Sequence, residues 1–360
     1  MLKSGDPLKN IEYQAAEALR TVFSDVPPVA IESIEVGSGS FDREIDILAH
    51  VSAFGRAHIL VCEVKSSGQP RHVHSGLLQV QRAIRHIGKG AIPVFIAPFL
   101  SPEAQALCQE ENVGFLDFEG NCRLVFDGIF IERKVPTRPA IERRELKSIF
   151  KPKSAQVLRV MLRDPHHAWR VTELADAASV SLGHVSNVRT ALVDREWAKI
   201  GDDGMSLIRP AAVLDAWRNS YEPPAGDRQT FYTTLHGKAF DQVVRDALGA
   251  SNRTNRAILA SFSAAQWIAP YARVGSQFFY ADSGGLDCLR HALKLSSAVK
   301  GENVVVTILK DEGPLLDTIE PAPGVVCTSP VQTYLDLAIS GERGQEAADY
   351  LRQEKLQWLQ

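Results

Sequence analysis

The sequence predicts an α/β multidomain protein. Strand-like apolar segments alternate with amphipathic helices in both the first and the last third of the chain. A mostly helical stretch lies between them, preceded by a basic, proline-bearing segment and followed by "EPPAGD". With 360 residues, 45% hydrophobic and 23% charged, the chain is long enough for two or three domains with cores of their own.

The first third opens with "LKNIEYQAAEALRTVF", residues 8–23, whose Ile11, Ala15, Leu19 and Val22 share one helical stripe. Three strands are expected next, "AIESIEV", "EIDILAHV" and "AHILVCEVK". A helix, "GLLQVQRAIRHI", and a buried strand, "IPVFIAP", follow. "SPEAQALCQEEN" begins with a Ser-Pro pair suited to a helix start. "GFLDF" and "RLVFDGIFIER" close the unit as strands, with Asp117 to Asn121 as a turn. The expected boundaries are 1–135, 136–222 and 223–360.

Residues 133–153 carry eight Lys or Arg against two Glu, and Pro136 and Pro139 mark a linker at their start. In the last third, "ILASF", "QFFYAD", "NVVVTIL" and "GVVCTS" read as strands. "AFDQVVRDAL", "SAAQWIAPYA", "GLDCLRHALKL" and "VQTYLDLAI" read as helices. "DSGGLD" reads as a turn, and Ala264, Ala265, Ile268 and Tyr271 as one core-packed face.

Composition sets limits. A net charge of -3 means that any basic surface is local. The five cysteines lack CxxC spacing, which argues against a zinc site or a disulfide framework. The longest apolar run, "AIPVFIAPFL", is too short to cross a bilayer, and the first residues lack a signal-peptide pattern. A cytoplasmic protein with no membrane segment is expected.

Two places carry chemistry. In a strand, residues i and i+2 share a face, so Glu63 and Lys65 project together, and Asp46 on the neighbouring strand joins them if the register allows. Two carboxylates so placed suit a hard divalent cation, and the lysine suits a water or a developing negative charge. His72 and His74 are expected in a polar loop just beyond. Asp46 with Glu63-Val64-Lys65, followed by a helix holding Gln79 and Gln81, resembles the PD-(D/E)XK nuclease superfamily over roughly residues 8–133. Glu44-Ile45 stands where that family often has a proline. The resemblance implies a restriction-endonuclease-like domain with Mg²⁺ on Asp46 and Glu63 and a further acid, Glu17 or Glu12, from the first helix. It also implies catalytic roles for Lys65 and Gln79.

The second place is "VTELADAASVSLGHVSNVRTALVDREWAKI". Leu174, Ala175 and Ala178 line a first helix, Val180 and Ser181 turn the chain, and Ser181 caps a second helix. Leu182, Val185, Val188 and Leu192 are expected inside, leaving Gly183, His184, Ser186, Asn187 and Thr190 outside, with Arg189 among the candidate DNA contacts. "AKIGDDGMSLIRP" reads as a hairpin, and Lys151 and Lys153 are placed to meet phosphate. The whole is similar to a winged helix-turn-helix over roughly residues 141–222.

"SPVQTYLDLAISGERGQEAADYLR" (Ser329 to Arg352), "VSLGHVSNVRTAL" and "GFLDFEGNCRL" are similar to segments of the AbiEi-like antitoxin and transcriptional regulator family of type IV toxin–antitoxin, abortive-infection systems. That family usually carries its winged helix at the N-terminus; here it is central. The resemblance implies phage defence, a cognate toxin protein as partner and an AbiEi-like C-terminal domain; double-stranded DNA, from the winged-helix reading, and a second copy of the chain are the other partners expected. Three readings result: a DNA-binding regulator or antitoxin, an Mg²⁺-dependent DNA endonuclease aimed by the winged helix, and a partner-binding interaction protein.

Overall fold

A computed structural model describes residues 7–37, 45–88, 90–136, 139–249, 255–271, 275–298 and 300–358. The chain is a mixed α/β multidomain protein whose contacts form two compact units. The first is Met1–Glu145 with Val193–Glu196; the second is Leu146–Leu192 with Trp197–Gln360.

In the first unit, α1 (Pro7–Ser24) leads into β1 (Val29–Val36), β2 (Ile47–Ala53) and β3 (Arg56–Val64). Then come α2 (Pro70–Ile87), β4 (Ala91–Ala97), α3 (Pro102–Glu110), β5 (Gly114–Asp117), β6 (Cys122–Phe126), β7 (Ile129–Arg133) and α4 (Ala140–Ile149), whose residues from Leu146 on belong to the second unit. The seven strands form one sheet in chain order. β3, β4 and β5 run parallel because α2 and α3 cross between them; the other pairs are antiparallel. α1 covers one face through Ala15, Leu19 and Val22, which pack with Ile47, Leu60 and Cys62. α2 and α3 cover the other through Val73, Leu77, Val80 and Ala104, which pack with Val61 and Phe95. Strand alternation therefore sends Cys62 toward α1, and Val61 and Glu63 toward α2.

Several expectations need correcting here. The helix after β3 starts at Pro70, so His72 and His74 lie in its first turns and not in a loop; proline at the first helical position presets the backbone. "RLVFDGIFIER" is two strands, because Asp127 and Gly128 both take positive φ and turn the chain over. Glu44 lies outside the described residues.

The second unit holds α5 (Pro152–Arg163), α6 (Val171–Ala178), α7 (Leu182–Asp194), the hairpin β8 (Ala198–Gly201) and β9 (Gly204–Leu207), and α8 (Pro210–Asn219). It continues with β10 (Gly226–Tyr232), α9 (Gly237–Gly249), β11 (Ala257–Leu259), α10 (Ser261–Ile268), β12 (Gln277–Ala281), α11 (Ser283–Ala292) and β13 (Ser296–Ser297). β14 (Val304–Leu309), α12 (Gly313–Leu316), β15 (Thr318–Ala322), β16 (Val325–Thr328), α13 (Pro330–Ala338) and α14 (Gly341–Lys355) complete it. Its seven-stranded sheet has the order β13-β10-β14-β12-β11-β16-β15. β12 runs parallel to β14, and β11 to β16.

"DSGGLD" is not a free turn. Asp282 caps α11 by accepting from the Gly285 N–H at 2.7 Å, and a Cβ at Gly285 would sit 2.0 Å from the Arg256 carbonyl oxygen. Tyr271 also departs from expectation. Ala264, Ala265 and Ile268 are buried, but α10 ends at Ile268 and Tyr271 is 47% exposed.

Candidate functional site

β2 and β3 pair with Ile47 opposite Cys62 and Leu48 opposite Val61, a register that sets the residue before Ile47 across from Glu63. Leu48 and Val61 both pack on the α2 face, the side to which Glu63 turns. Glu63 is buried, and the Lys65 ammonium donates to its Oε1. The Asp46 carboxylate accepts the Val64 N–H at 2.7 Å. On the opposite side of β3, the Lys65 N–H donates to the Ile96 carbonyl of β4. The Val64 N–H thus faces β2, which begins one residue beyond Asp46, and the side chain takes the place of a backbone acceptor. Burial pushes the Asp46 carboxyl up from its ordinary value, while the Val64 N–H and the Lys65 charge pull it back.

Two expected members do not join this group. α1 covers the opposite sheet face, and Glu17 is turned outward, bonded to Arg20 at 3.2 Å. Glu12 lies nearer the Asp46 end: its Oε2 is 3.7 Å from where a Cβ on Gly37 would stand, and the Gly37 N–H donates to the Asp46 carbonyl. Gln79 is exposed, because α2 buries Val73, Gly76, Leu77, Val80 and Ala83 against the sheet and turns position 79 to solvent. Gln81 bonds Glu111 at 2.9 Å. Among the described residues, no group of three or more His, Cys, Asp and Glu side chains is arranged to hold a metal ion. Asp117 serves the β5–β6 turn: its carboxylate accepts the N–H groups of Leu100, Glu119 and Asn121 and the Asn121 amide, at 2.8–3.1 Å.

Gly76 is a residue that sequence reasoning missed. A Cβ there would stand 2.3 Å from Phe95 Cε2 and 3.4 Å from Glu63 Cγ. Its bare backbone lets α2 close over the acidic strand end. The signal available was a glycine inside a helical pattern at a buried position.

The second cluster is in the other unit. α6 buries Leu174, Ala175 and Ala178, and Ser179 ends it in a left-handed conformation. Ser181 then starts α7: its Oγ meets His184 Nδ1 at 2.9 Å and accepts the His184 N–H at 3.4 Å. Val185, Val188 and Leu192 are buried as expected, but Leu182 is 53% exposed because it stands on the first turn, beyond the reach of α6. Ser186, Asn187 and Thr190 are exposed and Arg189 is half-buried. Trp169 pairs with Met205 through two backbone bonds, adding a third strand-like piece to the β8–β9 hairpin.

Lys151, Lys153 and Ser154 from the start of α5, with His184, Asn187 and Ala191 of α7, line one groove of about 440 Å³. Lys151 and Lys153 are exposed; Lys153 lies 3.6 Å from Asp311. Pro152, Lys153 and Ser154, the first residues of α5, line the groove, so the partial positive charge of that helix start falls on it. Ser186 and Thr190 lie outside this lining, and the hairpin tip carries Asp202 and Asp203.

No family model, curated protein or solved structure matches the chain. The functional reading therefore rests on these two clusters. No helix among the described residues is long and apolar enough to cross a membrane.

Proposed function

We propose that the chain is a DNA-binding transcriptional regulator or antitoxin-like protein that reads double-stranded DNA with a winged helix formed by α5 to β9. The observation that carries this reading is the shared groove. His184 and Asn187, whose side chains are able to read a base edge, line one cleft together with Lys151 and Lys153, which are able to meet phosphate, and with the start of α5. Phosphate contacts supply affinity for any duplex, and side chains on the early turns of α7 supply discrimination. The Ser181–His184 bond holds one imidazole nitrogen, which leaves Nε2 and the Asn187 amide as the groups able to reach a base edge. A cognate toxin and a second copy of the chain are the partners this reading carries.

The test is titration of labelled upstream-region fragments and random duplex at several salt concentrations. Asn187→Ala should cost about 1–3 kcal/mol on the preferred fragment and little on random DNA. Lys151→Ala should weaken both alike and lower the salt slope by about one unit. A wild-type chain with no preference among fragments removes the regulator reading.

A second reading, a metal-dependent DNA endonuclease, is favoured by the meeting of Asp46, Glu63 and Lys65 at one strand end. The donor set there is two carboxylates, one already bonded to Lys65 and one to a backbone N–H, so it fits a cation poorly without a third acid. Mn²⁺-supported nicking that is lost in Lys65→Ala would establish it, and no nicking above that control would dismiss it.

A further inference from the structure

His184 and Asn187 stand three positions apart on α7, so their side chains leave the helix at levels about 4.5 Å apart along its axis, close to the spacing of about 3.4 Å between stacked base pairs. Both are exposed, and both line the groove. Ser181 Oγ accepts the His184 N–H at 3.4 Å and lies 2.9 Å from His184 Nδ1. A hydroxyl has one proton to give, and Nδ1 is the acceptor placed to take it. The proton of the neutral imidazole then sits on Nε2, which has no hydrogen-bond partner among the described residues. A protonated ring carries a proton on Nε2 as well, so the side chain shows an N–H donor in either charge state. The Asn187 amide enters no hydrogen bond among the described residues, which leaves both its donor and its acceptor open.

We infer that α7 reads two neighbouring base pairs, a guanine through His184 Nε2–H and an adenine through the Asn187 amide, with Ser181 positioning the first contact. This rests on the groove being the DNA site. Guanine is the base that sets two acceptors, N7 and O6, and no donor on its major-groove edge. Adenine and cytosine each turn an amino group toward an incoming donor, and thymine offers one acceptor beside a methyl group. A donor-only imidazole therefore selects guanine. Asn187 has the opposite character: its amide gives one bond to adenine N7 and takes one from N6, a two-bond fit that guanine cannot return. Ser181 acts through the ring. Its hydroxyl holds Nδ1 as an acceptor, and with it both the tautomer and the direction in which Nε2 points.

The experiment is selection of bound duplexes from a random library by the full chain, followed by titration of the selected duplex and of copies with one atom changed. The selected element should hold a G·C pair next to an A·T pair. 7-Deazaguanine, which lacks the N7 acceptor, should weaken wild-type binding about three- to tenfold and cost His184→Ala nothing further. 7-Deazaadenine should pair in the same way with Asn187→Ala. Ser181→Ala should lose part of the guanine preference, and Ser181→Thr, which keeps a hydroxyl, should restore it. A long-range proton–nitrogen spectrum of the neutral ring, assigned by its absence in His184→Ala, should show the proton on Nε2. A proton on Nδ1, a selected element without the neighbouring pairs, or an equal cost of 7-deazaguanine in wild type and His184→Ala would overturn the inference and leave the groove reading standing. A chain that selects no element at all overturns both.

Discussion

Replacing Asp336 with Asn should flatten the pH dependence of stability in the second unit. Asp336 is 5% exposed on α13, and its Oδ1 accepts from Tyr221 and from the Gln332 amide at 2.9 Å. Burial raises its carboxyl from 3.8 to about 6, against the pull of Tyr221, Tyr280 and Gln332 as donors and of the Arg159 charge. A carboxyl raised on folding holds its proton more tightly in the native state. Its contribution is therefore fully present below the unfolded value and lost as pH rises through about 6. With these two values the loss is about 1.4 kcal/mol between pH 5 and pH 8, and about 3 kcal/mol over the whole titration. All five tryptophans, at 169, 197, 217, 267 and 358, fall in the second unit, so urea unfolding followed by tryptophan emission reports that unit. The Oδ2 of Asp336 has no partner among the described residues, so an amide nitrogen in its place adds an offset that does not vary with pH. The difference between wild type and Asp336→Asn should change by about 1.4 kcal/mol from pH 5 to pH 8. A constant difference, or one of opposite sign, would refute the assignment.

Three further outcomes are expected. Gly76→Ala should destabilise the first unit by about 1–3 kcal/mol, read by circular dichroism melting, because its Cβ lands 2.3 Å from a ring carbon of the fully buried Phe95. Ser181→Ala should cost about 1 kcal/mol of stability in urea and shift the ring resonances of His184, since both the helix cap and the imidazole partner are lost. Asp46→Asn keeps an oxygen for the Val64 N–H and removes the raised carboxyl; it should be tolerated at pH 8, and strong unfolding there would show that the charge itself holds the strand end.

Period-two and period-3.6 patterns carried much of this structure. The stripe Ala15, Leu19 and Val22 is buried, and the parity of Glu63 and Lys65 puts their polar ends in contact. The face of α7 was legible from Val185 onward and failed at Leu182, where periodicity continues but the covering helix does not. β10 went unseen because only Phe231 in it is fully buried, so no apolar run marks it. The start of α2 was hidden by polar His72 and His74 on its first turns. The groove could not be read locally at all: Lys151 and His184 lie 33 positions apart, and nothing short-range says that the start of α5 meets the face of α7.

The same separation explains why the stretch from α5 to β9 is no independent module. Every residue of α5 from Ala155 to Leu162 is buried, which no surface helix shows. One side meets α6, and the other donates Arg159 to Gln332 of α13, 173 positions away. Tyr221, just past α8, bonds Asp336 on that helix, and Arg218 of α8 reaches Tyr334 at 3.0 Å. A buried charge, the buried Tyr334 and the half-buried Tyr221 thus fasten α5 and α8 to α13 of the C-terminal part. Such a network is costly unless each member is met; Arg159 and Asp336 each keep an atom that is not, and Gln156, on the same helix as Arg159, keeps two. Hydrophobic packing alone would have held these helices together at lower cost. Arg159 and Gln156 stand on α5, whose start carries the two lysines of the groove, so any change that satisfies them acts on the element that positions those lysines.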